Sequence, residues 1–204
     1  MSRGDPKFPP ANLAARNLAN HAKLLKGQYW RISHKNAPLI DWSDNAESRF
    51  SHPSLPCKVL YFASLKVTAF WERFGEDLRD QDPSTRAISE HLLAERVWKM
   101  LRCVSSLRVI DLTDPATIRE IGADGATFLG LYPFTQQWTK ALMDHPFAID
   151  GLIYSSRLNT PKKCVALFER SHSAAALKVS VKDPHPIDDP IILEILTKER
   201  ISLV

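Results

Sequence analysis

Glycine is scarce in this sequence, and its placement excludes the best-known loops that bind phosphate through the backbone. The 204 residues contain only seven glycines, and no two of them have GxG spacing. Neither a dinucleotide-binding fingerprint nor a P-loop is present. A ligand that carries phosphate would therefore be held by side chains.

Cysteine and histidine are also too sparsely patterned to predict a zinc site. The three cysteines, Cys57, Cys103 and Cys164, include no CxxC pair, and the seven histidines form no HExxH motif. No GxSxG motif indicates a nucleophile elbow. The odd, widely spaced cysteines and the lack of a hydrophobic segment in MSRGDPKFPP predict a protein of the reducing cytoplasm.

Long apolar runs and blocks of like charge are absent. No apolar stretch approaches the roughly 18 residues that a membrane helix requires. The 27 basic and 23 acidic residues are interspersed, with a net charge of +4 and no basic arm for nucleic acid. A 44% apolar fraction and five tryptophans predict one globular domain with a sizeable core.

The stretch from Lys58 to Leu78 changes from a strand pattern to a helix pattern. Val59–Ala63 is a continuous apolar run, typical of a strand buried on both faces. Helical spacing starts after Ser64, a candidate N-cap, and its apolar positions are Val67, Phe70, Trp71, Phe74 and Leu78. Glu72 lies about 100° round from Trp71. Its carboxylate can lean into a cleft beside the strand, or it can belong to a solvated helix face.

The flanking segments complete the predicted organisation. An alanine-rich N-terminal helix with a stripe from Ala14 to Leu25, capped by Gly27, predicts a helical appendage over residues 1–27. The run QYWRIS predicts a strand with Trp30 on one face and Arg31 on the other. Residues 34–57 are interpreted as a long loop that carries Arg49.

The second half contains further strands and a last helix. AIDGLIYSSR places a short strand directly before two serines, Ser155 and Ser156, and CVALFE is another buried strand. The predicted core spans residues 28–182, and residues 183–204 form a C-terminal helix and tail. Strands and helices interleave without strict βα alternation, which favours an α+β fold with a curved or split mixed sheet and flanking helices.

Several short motifs occur in an order that resembles the RES domain, a family named for its arginine, glutamate and serine. In chain order they are YWRIS, SRF, VLYFAS followed by a helix with WE, DGLIYSSR and CVALF, from about Tyr29 to Val181. By this resemblance, Arg31, Glu72 and Ser156 match the three named residues, with Ser155 as a rival for the serine. The family commonly has glycine and asparagine where this chain has Ser48 and Ser51.

The resemblance implies a fold and a function. RES proteins look like relatives of diphtheria-toxin-type ADP-ribosyltransferases and act as toxins paired with a helical, Xre-type antitoxin. The expected substrate is NAD, cleaved at the nicotinamide to ribose bond by hydrolysis or phosphorolysis. The expected assembly is a complex with the antitoxin or a homo-oligomer, without metal, membrane or direct nucleic-acid binding.

The chemistry of the residues suits that expectation. A carboxylate such as Glu72 can stabilise an oxocarbenium-like ribose, and a guanidinium such as Arg31, assisted by Arg49, can grip a pyrophosphate. The Ser156 hydroxyl can form a hydrogen bond with the glutamate or with the nicotinamide ribose, and Trp30 or Tyr61 can stack on a flat ring. The neighbouring Tyr154 and Ser155 are further candidates for contact with NAD.

Two other functions are compatible with the sequence. A transferase would move ADP-ribose to a protein, but Phe70, and not a second carboxylate, stands two residues before Glu72. That neighbourhood favours water or phosphate as the acceptor. A pI near 9 and five tryptophans also suit a module that binds nucleic acid or protein without catalysis.

Overall fold

A large sheet flanked by helices organises the chain in a computed structural model. The structure describes residues 7–42, 48–51, 54 and 58–204. The strands are β1 (Ala22–Leu24), β2 (Gln28–His34), β3 (Val59–Ala63), β4 (Ala87–Ile88), β5 (Arg96–Cys103), β6 (Arg108–Asp111), β7 (Gly151–Ser155), β8 (Lys163–Phe168), β9 (Leu177–Lys182) and β10 (Ser202–Leu203). The helices are α1 (Lys66–Arg79), α2 (Glu90–Ala94), α3 (Pro115–Ile121), α4 (Tyr132–Met143), α5 (Ser171–Ala175) and α6 (Pro190–Lys198).

The sheet is mixed, as the sequence predicted. Eight strands follow the order β1-β6-β7-β8-β3-β2-β5-β9, and β4 and β10 form a separate parallel pair. β6 and β7 run parallel, whereas the other neighbours in the large sheet are antiparallel. The prediction of an α+β fold with a mixed sheet and flanking helices is confirmed.

The sheet is split between two of its central strands. β2 is in register with β5 from Gln28 to His34, but its register with β3 consists of the single pair Trp30 and Ala63. Beyond Trp30 the two strands diverge, so the β3-facing edge of β2 opens into a cleft. This split creates space for a ligand in an otherwise continuous sheet.

Each face of the sheet has its own apolar layer. The strand β3 alternates its side chains between the two layers and is buried on both faces, which confirms the prediction from its apolar run. The helices α1, α4 and α6 cover one face with Phe70, Phe74, Trp138, Ile192 and Ile195. On the opposite face, Ile40 and Trp42 from the segment after β2 pack against a second apolar cluster, which includes Leu101 and Phe62.

The predicted N-terminal helical appendage is wrong for its described part. Residues 13–15 form one 3₁₀ turn, and β1 follows and pairs with β6. The helix propensity of an alanine-rich segment is a weak preference. Here the Asn17 side chain accepts a hydrogen bond from the backbone of Ala19, which favours a turn, and β6 offers an open edge for pairing. Gly27 adopts φ +99° before β2 and caps no helix.

Two further predictions concern single segments. Ser64 is not the N-cap of α1, because its backbone N–H donates to the carbonyl of Lys163 and extends the pairing of β3 with β8. Part of the predicted loop 34–57 lies outside the described residues, and Cys57 is in that part. Among the helices described, none is long and apolar enough to cross a membrane.

A buried carboxylate joins three strands at one end of the sheet. Asp111 accepts hydrogen bonds from Lys23 Nζ at 2.9 Å, Lys163 Nζ at 3.0 Å and Thr113 Oγ1 at 2.5 Å. Burial alone would raise the pKa of Asp111, but the bonds from Thr113, Lys23 and Lys163 outweigh it and lower the pKa to about 2. This contribution to stability is present above the ordinary pKa of aspartate and is lost as the pH falls through about 2.

We expect Asp111→Asn to lower the free energy of unfolding by about 2 kcal/mol at pH 7, because Lys163 loses its ion pair with Asp111 and Lys23 keeps only the more distant Asp114, at 3.8 Å. Urea unfolding at several pH values measures this. The gap between the two proteins should shrink as the pH falls from 5 toward 2. Asp77→Asn removes an exposed carboxylate from α1 and should have little effect. A gap that stays constant with pH would contradict the assigned role of Asp111.

Candidate active site

The cleft at the split of the sheet lies between α1 and the diverging strands β2 and β3. It has a volume of about 550 Å³, within the range of sites that bind small molecules. Six of the residues predicted from the sequence line it: Trp30, Arg31, Arg49, Tyr61, Glu72 and Tyr154. The fold therefore brings together positions that are up to 124 residues apart in the chain.

Two hydroxyl groups hold the Glu72 carboxylate. Ser156 Oγ donates to Glu72 Oε1 at 2.6 Å, and the Tyr154 hydroxyl donates to Glu72 Oε2 at 3.2 Å. Ser156 and Tyr154 are themselves buried, although Glu72 remains exposed to the cleft. Two buried hydroxyl groups therefore hold the carboxylate in place while it stays accessible to a ligand.

The serine is positioned by the turn that follows β7. Ser156 Oγ accepts a hydrogen bond from the backbone N–H of Asn159 at 3.0 Å, which orients its own proton toward Glu72. Asn159 Nδ2 donates to Thr68 Oγ1 on α1 at 3.1 Å, so the same turn is attached to the helix that carries Glu72. Of the two rival serines, Ser156 makes the side-chain contact, and Ser155 offers its backbone carbonyl to Arg49.

Arg49 is a buried cation whose hydrogen-bonding groups are largely unused. Its side chain lies over the rings of Phe50 and Tyr154, at 5.1 and 5.2 Å from the ring centroids. Nη1 donates to the carbonyl of Ser155 at 3.3 Å, whereas Nε and Nη2 find no hydrogen-bond partner in the described part of the chain. Burial lowers the pKa of Arg49. An anion in the cleft would satisfy these donors.

Arg31 is held by the segment that follows β2. Its Nη1 donates to the carbonyl of Asp41 at 2.9 Å, and its Nη2 lies 3.6 Å from the Asp41 carboxylate. Burial lowers the pKa of Arg31, and the Asp41 charge partly offsets this. Lys99, buried in β5, anchors the same segment because its Nζ donates to the carbonyls of Ala37, at 3.2 Å, and Pro38.

The two aromatic candidates support the walls of the cleft. The Tyr61 hydroxyl accepts a hydrogen bond from the backbone N–H of Phe50 at 3.1 Å and lies 3.3 Å from Ser51 Oγ. Burial raises the pKa of Tyr61 to about 12, so the phenol stays neutral. Trp30 packs edge-on against Trp98, with Lys66 Nζ 4.9 Å above its ring.

A polar cluster at the rim was not predicted from the sequence. Arg157 Nη2 donates to Glu76 Oε1 at 2.8 Å and to the Tyr132 hydroxyl at 2.9 Å. Glu76 follows Glu72 by one helical turn, so the two carboxylates face the same side of α1. The residues after β7 thus contact α1 through three side chains, Ser156, Arg157 and Asn159.

Several other side chains that support or line the cleft were also missed: Asp41, Arg73, Arg96 and Lys99. One signal could have revealed Lys99, because a lysine amid VWKML in a buried strand needs a specific partner. Arg73, Arg96 and Asp41 resemble ordinary exposed residues in the sequence. Only the positions of their elements bring them to the cleft.

The charge of the lining favours an anionic ligand. Five arginines face the cleft, Arg31, Arg49, Arg73, Arg96 and Arg157, against three carboxylates, Asp41, Glu72 and Glu76. A guanidinium offers a fork that matches a phosphate. The cleft therefore combines one fixed carboxylate with a surplus of phosphate-binding groups.

The described residues do not form a metal site or an activated cysteine nucleophile. It contains no group of three or more histidine, cysteine or acidic side chains arranged to hold a metal ion. Burial raises the pKa of Cys103 to about 11 and that of Cys164 still further, so neither thiol is an activated nucleophile.

Comparison with known proteins identifies the family. No curated protein matches the sequence. The fold is similar to that of a chain in the crystal structure of the M. tuberculosis MbcT-MbcA toxin-antitoxin complex, with a TM-score of 0.60 and 16% identity over 86% of this chain and 94% of that chain. The family model of the RES domain matches residues 28–189, which include the cleft and its arginine, glutamate and serine. The chain therefore belongs to the RES domain family.

Proposed function

We propose that this protein is the toxin of a bacterial toxin-antitoxin pair and consumes NAD by breaking the bond between nicotinamide and ribose. The observation that carries the proposal is the Glu72 carboxylate, fixed by Ser156 and Tyr154 in a cleft lined by arginines. Loss of NAD would arrest growth.

The reaction builds positive charge at the ribose. As the bond from the anomeric carbon to the nicotinamide nitrogen breaks, its electron pair stays on nitrogen and neutral nicotinamide leaves. The ribose becomes oxocarbenium-like, and the Glu72 carboxylate can accept a hydrogen bond from a ribose hydroxyl and stabilise the charge. Water or phosphate then adds to the anomeric carbon, and its proton passes to solvent.

The arginines serve the other part of the substrate. Arg31 and the unpaired N–H groups of Arg49 are suited to bind the pyrophosphate, which a glycine-rich loop binds in other folds. Tyr61 and Trp30 line the same cleft and offer apolar surface for a ring.

A small acceptor suits this site better than a protein side chain. Phe70, two residues before Glu72, is fully buried in the core under α1 and cannot activate an acceptor. Modification of a host protein remains the alternative reaction, and binding of nucleic acid or protein without catalysis is the other alternative. Release of nicotinamide, together with labelling of protein by radiolabelled NAD, distinguishes the three.

The partner follows from the same proposal. The similar fold comes from a toxin-antitoxin complex, which supports an antitoxin as the natural partner of this chain. We propose a cytoplasmic complex with an Xre-type antitoxin that covers the cleft at Arg31, because an enzyme that drains NAD requires a neutralising partner. Expression of the toxin without its antitoxin should then stop growth.

Incubation of the purified protein with NAD, with and without phosphate, tests the reaction. We expect free nicotinamide together with ADP-ribose, or with its phosphorylated form if phosphate is the acceptor. Radiolabelled NAD added to a lysate gives the second readout. Stoichiometric label on one host protein would show that the protein is a transferase instead. If no nicotinamide were released, the protein would be a binding module without catalysis.

A further inference from the structure

A second group of arginines lines the cleft beside Arg31. Arg73 lies on α1 next to Glu72, and Arg96 begins β5 opposite His34 of β2. Burial lowers the pKa of Arg31 and of Arg96, and the nearby charge of Arg73 lowers both further. Arg73 is therefore close enough to repel both Arg31 and Arg96.

Few carboxylates compensate this group. Asp41 is engaged with Arg31. Glu95, the acid nearest Arg96 in the chain, is shared with Lys35 at 2.8 Å and His34 at 3.4 Å. Arg73 forms no ion pair with any residue that the structure describes. The group has an excess of positive charge that a bound anion would neutralise.

Buried polar atoms in the same lining also lack partners. Ser33 is only 5% exposed, and its hydroxyl finds no hydrogen-bond partner within the described residues. The buried Nε of Arg96 is unpaired in the same way. Both residues line the cleft where β2 has separated from β3. The register of β2 with β5 puts the Ser33 and Arg96 side chains on opposite faces of the sheet, so only the unpaired Arg96 Nε belongs with Arg73. An unpaired guanidinium nitrogen suits a phosphate.

We propose that Arg73 and Arg96 form a second anion subsite, and that the cleft accepts NADP as well as NAD. The inference rests on the proposed function, in which Arg31 and Arg49 bind the pyrophosphate. NAD carries no further phosphate for Arg73 and Arg96. NADP carries one on the adenosine ribose, and that dianion would bind the second subsite.

The experiment compares nicotinamide release from the two dinucleotides by the purified protein. We expect kcat/KM for NADP to equal or exceed that for NAD at low ionic strength. Arg73→Gln and Arg96→Gln should each lower the NADP to NAD ratio of kcat/KM about tenfold, the usual effect of losing one charge-assisted hydrogen bond. Arg79→Gln removes an exposed arginine from the same helix and should leave the ratio unchanged.

The outcomes separate this inference from the proposed function. Two results would overturn the second subsite alone: a kcat/KM for NADP that is tenfold lower than that for NAD, or an NADP to NAD ratio of kcat/KM that Arg73→Gln does not change. If Arg73→Gln changed only the dependence of NAD cleavage on inorganic phosphate, the group would bind the acceptor and the inference would be wrong. Failure to release nicotinamide from either dinucleotide would overturn both. Arg73 is exposed on α1, so its variant is expected to fold.

Discussion

Glu72→Gln should lower kcat for nicotinamide release by a factor of about 10² to 10³, the usual cost of losing one preorganised electrostatic contact. Glutamine keeps the size of the side chain and leaves a carbonyl oxygen for the Ser156 hydroxyl, but it removes the negative charge. Because the charge acts on the oxocarbenium-like ribose, the loss should appear in kcat and not mainly in KM. Expression of the variant should no longer arrest growth.

The matched control for this variant is Asp77→Asn. Asp77 is exposed on the same helix, so the substitution removes one charge from α1 outside the cleft. Thermal unfolding and kinetics of both variants should be measured together. Wild-type turnover by folded Glu72→Gln protein would refute the assigned role of Glu72, and an equal loss in Asp77→Asn would indicate an effect of helix charge alone.

Arg49→Met should weaken NAD binding while it stabilises the free protein. The side chain is 8% exposed, and two of its nitrogens have no partner in the described chain, so the empty cleft leaves a buried cation incompletely paired. Methionine can fill the space between Phe50 and Tyr154 without that cost. We expect KM for NAD to rise about 10-fold to 100-fold and the free energy of unfolding to rise by about 1 kcal/mol.

Urea unfolding and steady-state kinetics check the two parts of this expectation together. Arg79→Met serves as the control, because Arg79 is exposed on α1 and pairs with its neighbour Asp80. A destabilised Arg49→Met protein that keeps its affinity for NAD would show that Arg49 is a structural residue. The opposite signs expected for stability and for affinity are typical of a side chain retained for ligand binding.

The predictions from sequence were most accurate where the local pattern and the tertiary contacts agree. β3 has an apolar run that suits its burial on both faces, and α1 has helical spacing that suits its position on the sheet. The N-terminal segment shows the contrary case. Its alanines favour a helix only weakly, and pairing of β1 with the edge of β6 outweighed that preference.

The candidate site was predicted only in part. The motif order identified Arg31, Glu72 and Ser156, and the structure brings Glu72 and Ser156 into direct contact. Sequence left the choice between Ser155 and Ser156 open, because both follow the same strand. The direction of the chain after β7, with Asn159 bonded to Ser156 Oγ, determines which hydroxyl reaches the carboxylate.

The sequence by itself determined the local elements of the core and the residue types available for chemistry. It contains no glycine-rich loop, so arginine side chains were the expected phosphate ligands, and the ordered motifs indicated the family. Tertiary structure alone decided which arginines share a cleft. Arg73 and Arg96 come from a helix and a strand, and only the divergence of β2 from β3 places them beside Arg31. The physical reason is that burial and charge proximity depend on how distant elements pack, and short-range patterns do not encode this packing.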